Sequence, residues 1–217
     1  MQNSNNKYKT GKIRSDNRAK IIAIAEMEFA EFGYKGASIM NIAKRANMPR
    51  ANVHYYFKSK LQLYKKVLMD ILQLWNQAFN QITPEDDPAE AIGAYIKAKV
   101  MYSKTNPLAS KIFANEIIHG APRISEYLNN DFRDWLKSKS AVIEHWIKQE
   151  KMDPVDPLFL IMLIWSATQH YADFSTQVSA VMDKPQLTDQ DFDNVSDNLI
   201  HIILKGCGIK PPSTINP

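Results

Sequence analysis

Cysteine is nearly missing from this 217-residue chain: Cys207 stands alone, so no disulfide can form within it. Glycine is scarce, at 7 residues, and neither GxGxxG nor the GxxxxGK loop occurs, which removes the two commonest backbone cradles for phosphate. Long apolar runs are missing too. The longest, Leu158–Trp165, is far short of the roughly 20 residues a membrane-spanning helix needs. The first 20 residues are polar and basic, with no apolar core of a secretory leader. No G-x-S-x-G is present to mark a nucleophilic serine. These absences point to a soluble protein of a reducing compartment, the cytoplasm, without a membrane partner. What remains is 45% hydrophobic and 23% charged, enough apolar chain to bury a core and too much for whole-chain disorder.

Charge is unevenly placed. Residues 1–66 hold 14 Lys+Arg against 4 Asp+Glu, a net of +10, while residues 67–217 hold 13 against 19, a net of −6. No acid lies between Glu31 and Asp70, a stretch that contains Lys35, Lys44, Arg45, Arg50, Lys58, Lys60, Lys65 and Lys66. A polyanion is attracted to such a surface, and release of its counterions drives binding. A solvated basic face or a membrane-surface patch has the same composition, so charge alone leaves nucleic acid as one reading among these.

Apolar spacing predicts helices and no strand, an all-α protein of about nine helices. Residues 1–14 read as a mobile basic tail. Asp16 is an expected N-cap for a helix with Ile22, Ala25, Phe29 and Phe32 on one face, ended by Gly33 and Gly36. Ser38 caps a short second helix that buries Ile39, Ile42, Ala43 and Ala46. Asn47 tolerates the left-handed turn that follows, and Pro49 opens a third helix, Arg50 to Phe57. A fourth helix, starting at Lys60, carries Leu61, Tyr64, Leu68, Ile71, Leu72, Trp75 and Phe79 at steps of 3 and 4. Further helices read as Pro88–Thr105, Pro107–His119, Ile124–Lys151, Asp156–Met182 and Thr188–Lys205. The last has Phe192, Val195, Leu199, Ile202 and Ile203 on one side.

Two short helices joined by a tight turn, the second basic at its start, have helix-turn-helix geometry. The second helix of such a pair lies in the DNA major groove. Arg50 can bond a guanine edge through two parallel N–H groups, and Asn52 an adenine edge. His54, one turn after Arg50, faces the same groove, with Ala51 between them. Ser38, Tyr55 and Lys60 have hydroxyl and ammonium groups suited to phosphates. Val53 and Phe57 face the other way, onto the first helix.

The run Ser38-Ile39-Met40-Asn41-Ile42-Ala43-Lys44-Arg45-Ala46-Asn47-Met48-Pro49-Arg50-Ala51-Asn52-Val53-His54-Tyr55-Tyr56-Phe57-Lys58-Ser59-Lys60 resembles the DNA-binding signature of the TetR family of repressors. Ser38, Asn47 and Pro49 replace the Thr, Gly and Ser usual there, and each swap keeps the local chemistry. Phe32-Gly33 upstream is part of the same signature. The resemblance implies a homodimer on a palindromic double-stranded operator, a DNA-binding domain over residues 15–60, and a ligand-binding and dimerisation domain over residues 61–210. The stretches Tyr102–Pro122 and Ile164–Val178 resemble the branch of that family that regulates pyrimidine utilisation, so that the likeness runs from about residue 16 to residue 205. It implies uracil or thymine as the small-molecule effector and no cofactor.

The residues are compatible with that implication. Trp165, Gln169 and Asp173 step by 4 along one helix, and Trp75 and Phe79 by 4 along another. A planar base needs an aromatic wall, and its imide edge needs a group that both donates and accepts. Trp75 or Trp165 supplies the wall, Gln169 the amide, and Asp173 an acceptor for a ring N–H. Core packing explains the same residues equally well. The fourth helix leads from Lys60 to Trp75, roughly 22 Å at 1.5 Å per residue, so a ligand that biases its tilt changes the spacing of two reading heads and weakens DNA binding. Three rivals remain. A regulator for a more apolar ligand fits the same fold. A non-specific basic binder fits the charge. A helical metal enzyme would use the E-x-x-H pair Glu116 and His119, for which no second copy exists in the chain.

Overall fold

The structure is a computed structural model that describes the backbone of residues 3–211 and the side chains of residues 12–211. Among the described residues there are eleven helices and no strand. Two compact units divide the chain: Met1–Leu72 with Lys111–Arg123, and Gln73–Ser110 with Ile124–Pro217. The domain boundary expected after residue 60 therefore falls at the first turn of α4, and the first compact unit runs on to Leu72.

The first unit is built on α1 (Asn3–Gly36), α2 (Ile39–Arg45) and α3 (Arg50–Tyr56). Helix α1 already runs from Asn3, so Asp16 lies inside it and is not its cap. No proline interrupts those turns, and Asn and Lys tolerate a helix. Most of the tail expected over residues 1–14 is thus the start of this helix; residues 1 and 2 lie outside the described residues. Gly33 breaks the helix with φ 65° and ψ 178°, a backbone that only glycine adopts without strain. The buried stripe of α1 is Ile21, Ala25, Glu28 and Phe29, whereas Phe32 is 48% exposed. The expected stripe was drawn about one residue too far round the helix.

Helix α2 behaves as its sequence demands. Ser38 accepts from the Asn41 amide at 3.0 Å, and Ile39, Ile42, Ala43 and Ala46 are buried. Asn47 has φ 51°, the left-handed turn anticipated for it. Val53 and Phe57 are buried, which turns the opposite face of α3 outward. Complete burial of a side chain such as Ile42 is worth about 2–3 kcal/mol.

The second unit holds α5 (Pro88–Thr105), α7 (Ser125–Asn129), α8 (Asp131–Lys148), α9 (Pro157–Asp173), α10 (Ser175–Val181) and α11 (Asp189–Gly206). Helix α5 packs on α9 and α11 around Ile92, Ile96, Val100, Ile161, Ile164, Ile200 and Leu204. Two expected long helices are each divided. Asn130, with φ −116° and ψ −91°, separates α7 from α8, and Phe174, with φ −113° and ψ 30°, separates α9 from α10. Caps follow their residues: Asp87 on α5, Asp156 on α9, and a reciprocal Thr188–Asp191 box on α11. On α11 the core is carried by Val195, Ile200, Ile203 and Leu204, and Ile202 is 63% exposed rather than packed with them. Leu61 is likewise exposed.

Two helices belong to both units by continuity of chain. Helix α4 (Lys60–Asn80) passes from the first to the second at Leu72, and α6 (Pro107–Ile118) from the second to the first at Ser110.

Candidate nucleic-acid interface and buried polar site

A buried carboxylate fixes the geometry of the three-helix head. Glu28, only 1% exposed, accepts from the Ser38 amide at 3.2 Å, Asn41 Nδ2 at 3.1 Å and Arg45 Nη1 at 3.1 Å. It locks α1 against the N-terminus of α2 by satisfying that helix's first donors. Two sequence expectations change as a result. The Ser38 amide is already engaged by Glu28, leaving the Ser38 hydroxyl hydrogen as the group it can offer. Arg45, counted above with the unopposed cations, is paired with Glu28 and with Glu31 at 2.9 Å.

The outward face of α3 carries Arg50, Ala51, Asn52 and Tyr55 exposed and His54 half-buried. Arg50 Nε donates to His54 Nε2 at 3.2 Å. That bond holds the guanidinium along the helix and leaves its two terminal nitrogens as a fork, the shape that reads a guanine edge. Tyr55 is 68% exposed, and its ring meets that of Tyr56 edge-on at 5.2 Å. Lys60 is partly engaged: its ammonium donates to Ala37 O at 2.9 Å and Lys35 O at 3.3 Å and lies 4.7 Å from the Tyr34 ring. It ties α4 to the end of α1 and retains one N–H for other partners.

A second locked cluster in the same unit was not foreseen. Glu116, 1% exposed, accepts from Arg123 N at 2.8 Å and Arg123 Nη1 at 2.9 Å, and from the Tyr64 hydroxyl. The Arg123 guanidinium lies 3.7 Å over the Tyr34 ring and 5.5 Å from that of Tyr64. Burial, with the Glu116 charge second, holds the Tyr64 phenol well above its ordinary value. Glu116 is therefore committed to Arg123, and His119 Nδ1 is engaged with Asn115 O at 2.7 Å.

In the second unit the polar chemistry centres on Lys99, a residue the sequence reading passed over. It is 3% exposed on the core face of α5, at the step after Ile92, Tyr95 and Ile96 where an apolar residue belongs. That misplaced charge is the signal by which it was legible. Its ammonium lies 4.5 Å over the ring of Trp75, and the Asp173 carboxylate acts on it. Burial pulls its pKa down to about 7, with Asp173 opposing the shift. Asp173 accepts from the Ser110 hydroxyl. The Ser103 hydroxyl donates to Thr168 O at 2.8 Å and pins α5 to α9 beside them. Trp75 and Asp173 are thus brought together, through Lys99. Trp165 and Phe79 belong to a neighbouring aromatic group: Trp165 Nε1 donates to Tyr95 Oη at 2.6 Å, and Phe79 stacks on Tyr95 at 4.4 Å. Gln169 is half-buried on α9, one turn from each of Trp165 and Asp173. An open cleft of about 580 Å³ along α5 is lined by Gln77, Gln81, Asp86, Glu90, Tyr95 and Tyr102 but by none of Trp75, Lys99, Trp165, Gln169 and Asp173.

On α9, Phe159, Met162 and Leu163 are exposed, as are Phe174 just after it and Ile202 on α11. No helix among the described residues is long and apolar enough to cross a membrane.

A helix-turn-helix head with an outward cationic reading helix, joined by continuous helices to an all-helical body with a buried polar site, defines a ligand-responsive DNA-binding regulator. Family comparison agrees. Residues 21–67 match the family described as bacterial regulatory proteins, tetR family, and residues 68–210 match the YcdC-like protein, C-terminal region. The chain belongs to the TetR family. It is 36% identical over 198 residues to the HTH-type transcriptional regulator RutR of Escherichia coli, covering 91% of this chain and 93% of that protein. It is 27% identical over 143 residues, 65% of this chain and 75% of the relative, to the HTH-type regulator YhgD of Bacillus subtilis. The fold is shared with a tetR-family regulatory protein from Rhodococcus RHA1 at a TM-score of 0.72 and 18% identity, over 89% of this chain and 98% of that one. It is also shared with AibR in complex with isovaleryl coenzyme A and operator DNA, at 0.64 and 15%, over 86% and 97%. As a member of this family the protein is a transcription regulator, not an enzyme, that binds operator DNA as a homodimer and answers a small-molecule effector.

Proposed function

We propose that this protein controls genes of pyrimidine metabolism from the cytoplasm by holding a palindromic operator and releasing it when uracil or thymine binds. The observation that carries the effector assignment is the trio of buried Lys99, buried Trp75 and half-buried Asp173. Their chemistry is complementary to a planar imide: the ammonium donates to a ring carbonyl, the carboxylate accepts a ring N–H, and the indole stacks on the ring. Drawing the ammonium onto a carbonyl takes it off the Trp75 face and opens that face for stacking. Gln169 adds an amide able to donate and accept, and Trp165 and Phe79 close the aromatic wall. The resemblance to RutR over 91% of the chain supports the same reading.

On DNA, Arg50 reads a guanine edge and Asn52 an adenine edge, Ala51 and His54 line the groove beside them, and Ser38, Tyr55 and the free N–H of Lys60 hold phosphates. The exposed apolar residues of α9 and α11 form the dimer seam.

The link between site and head runs along α4 and α6. Helix α4 carries Trp75 in the body and Tyr64 in the head; α6 carries Ser110 in the body and Glu116 in the head. Ser110 and Glu116 are about 9 Å apart along their axis, and Trp75 and Tyr64 about 16 Å. A ligand that repositions Trp75 and the Ser110–Asp173 pair therefore acts on both helices, which the Tyr64–Glu116–Arg123 cluster clamps together at the head. The half-site spacing of the operator then selects one arrangement.

A second reading, a larger apolar effector, is favoured by the ring contacts of Phe132 with Trp135 at 5.5 Å and with Trp165 at 5.8 Å. A thermal-shift panel of uracil, thymine and an apolar amphiphile separates the two, because a ligand bound only to the folded state raises its melting point. The pyrimidines are expected to raise Tm in the protein and not in its W75A or Q169A variants. A rise with the amphiphile alone overturns the pyrimidine assignment.

A further inference from the structure

The face of α1 that carries the buried stripe continues beyond Ile21. Continued back by 3 and then 4 residues it reaches Arg18 and Arg14, so the helix face that buries Ile21 and Ala25 in the core becomes arginine where it outruns the core. Both arginines are exposed and lie alongside the reading helix. The Arg14 guanidinium is 5.6 Å from the ring centroid of Tyr55, and that of Arg18 is 5.3 Å from the ring centroid of Phe57. Tyr55 is itself one of the most exposed aromatics of the head. Arg14 and Arg18 are one turn apart, about 6 Å along the axis, and have no carboxylate partner among the ion pairs of the described residues.

We propose that Arg14 and Arg18 form a second DNA-binding element, a rail on α1 that grips the phosphodiester backbone flanking the major groove read by α3. A guanidinium held over an aromatic ring at cation–π distance keeps its N–H groups free to point outward, and the attraction narrows its range of directions, so less side-chain entropy is lost when a phosphate arrives. The rail carries no sequence information, since phosphates are the same on every duplex. It sets how far α3 enters the groove by gripping the strand beside Tyr55. The proposal rests on α3 being the reading helix.

The test is the salt dependence of DNA binding by the full-length dimer. Binding to a duplex from the protein's own upstream region and to a random duplex is measured between 50 and 200 mM salt. Each lost phosphate contact lowers the slope of log Kobs against log[salt] by about 0.9, so Arg14→Gln is expected to lower it by about 1.8 for two heads, with affinity falling by the same factor on both duplexes. Arg14→Lys keeps the slope. The double change R14Q/R18Q lowers it by about 3.6, and melting of each variant confirms that the head is folded. An unchanged slope in a folded R14Q protein overturns the rail, as does a loss confined to the specific duplex. If the parent protein itself shows no preference for its own upstream region, the reading role of α3 fails instead.

Discussion

Replacing Lys99 by methionine tests the buried site through its proton. The amine has a pKa of 10.5 in the open chain and about 7 in the fold, lowered by burial and only partly restored by Asp173. Between those values the unfolded chain holds a proton that the folded chain has released. Stability due to this group therefore rises with pH from about 7 to about 10.5, and below pH 7 the full cost of burying the charge is present. At 1.36 kcal/mol for each pH step, and allowing for the half-protonated folded state at pH 7, the gain between pH 7 and 9.5 is about 3 kcal/mol. Other groups act in the same range: burial and Asp153 push the Cys207 thiol up, and the Tyr64 phenol is raised as well, so both lower stability as the pH rises. They are common to both proteins and cancel in the difference. Urea unfolding of the parent and of K99M, read by tryptophan fluorescence at half-unit intervals of pH, supplies that difference. It is expected to move by about 3 kcal/mol in favour of the parent as pH rises. Parallel curves would show that Lys99 keeps its ordinary pKa and refute the buried-amine argument.

Three further outcomes are expected. Glu28→Gln leaves the Arg45 guanidinium and the α2 N-terminus with a weaker acceptor, costing about 1–3 kcal/mol in chemical denaturation and reducing operator affinity without contacting DNA. Arg50→Ala costs about 1–3 kcal/mol of operator affinity and relaxes selection at one base pair of each half-site, measured by competition with singly substituted duplexes. Arg123→Ala, which strips Glu116 of its cation, leaves effector binding by calorimetry in place but removes most of the effector's influence on DNA binding; equal influence in parent and variant would separate this cluster from the switch.

The head was largely legible because its elements are set by local chemistry. Ser38, Asn47 and Pro49 each specify a cap or turn by their own preferences, and the structure places all three where those preferences put them. Helix α1 was less so, because polar residues neither forbid nor demand a helix, and only the three-dimensional context extends it back to Asn3. The breaks at Asn130 and Phe174 carry no glycine or proline, so periodicity ran across them. At the body site, stepping by 4 along α9 found Trp165, Gln169 and Asp173, but not the partner from α5: Lys99 meets Asp173 only through tertiary packing. Glu28 was overlooked for the same reason, and Glu116 was weighed only as half of an E-x-x-H pair; each is a charge at a core position whose cations lie 17 and 7 residues away.

Whether uracil releases this regulator from its operator is decided by fluorescence anisotropy of a labelled duplex from the protein's own upstream region, at fixed salt with and without saturating uracil. Preference over random DNA by several kcal/mol is expected, with a weaker complex once uracil is present. Equal affinity for both duplexes, or a specific complex that uracil leaves untouched, would rule out a uracil-released repressor.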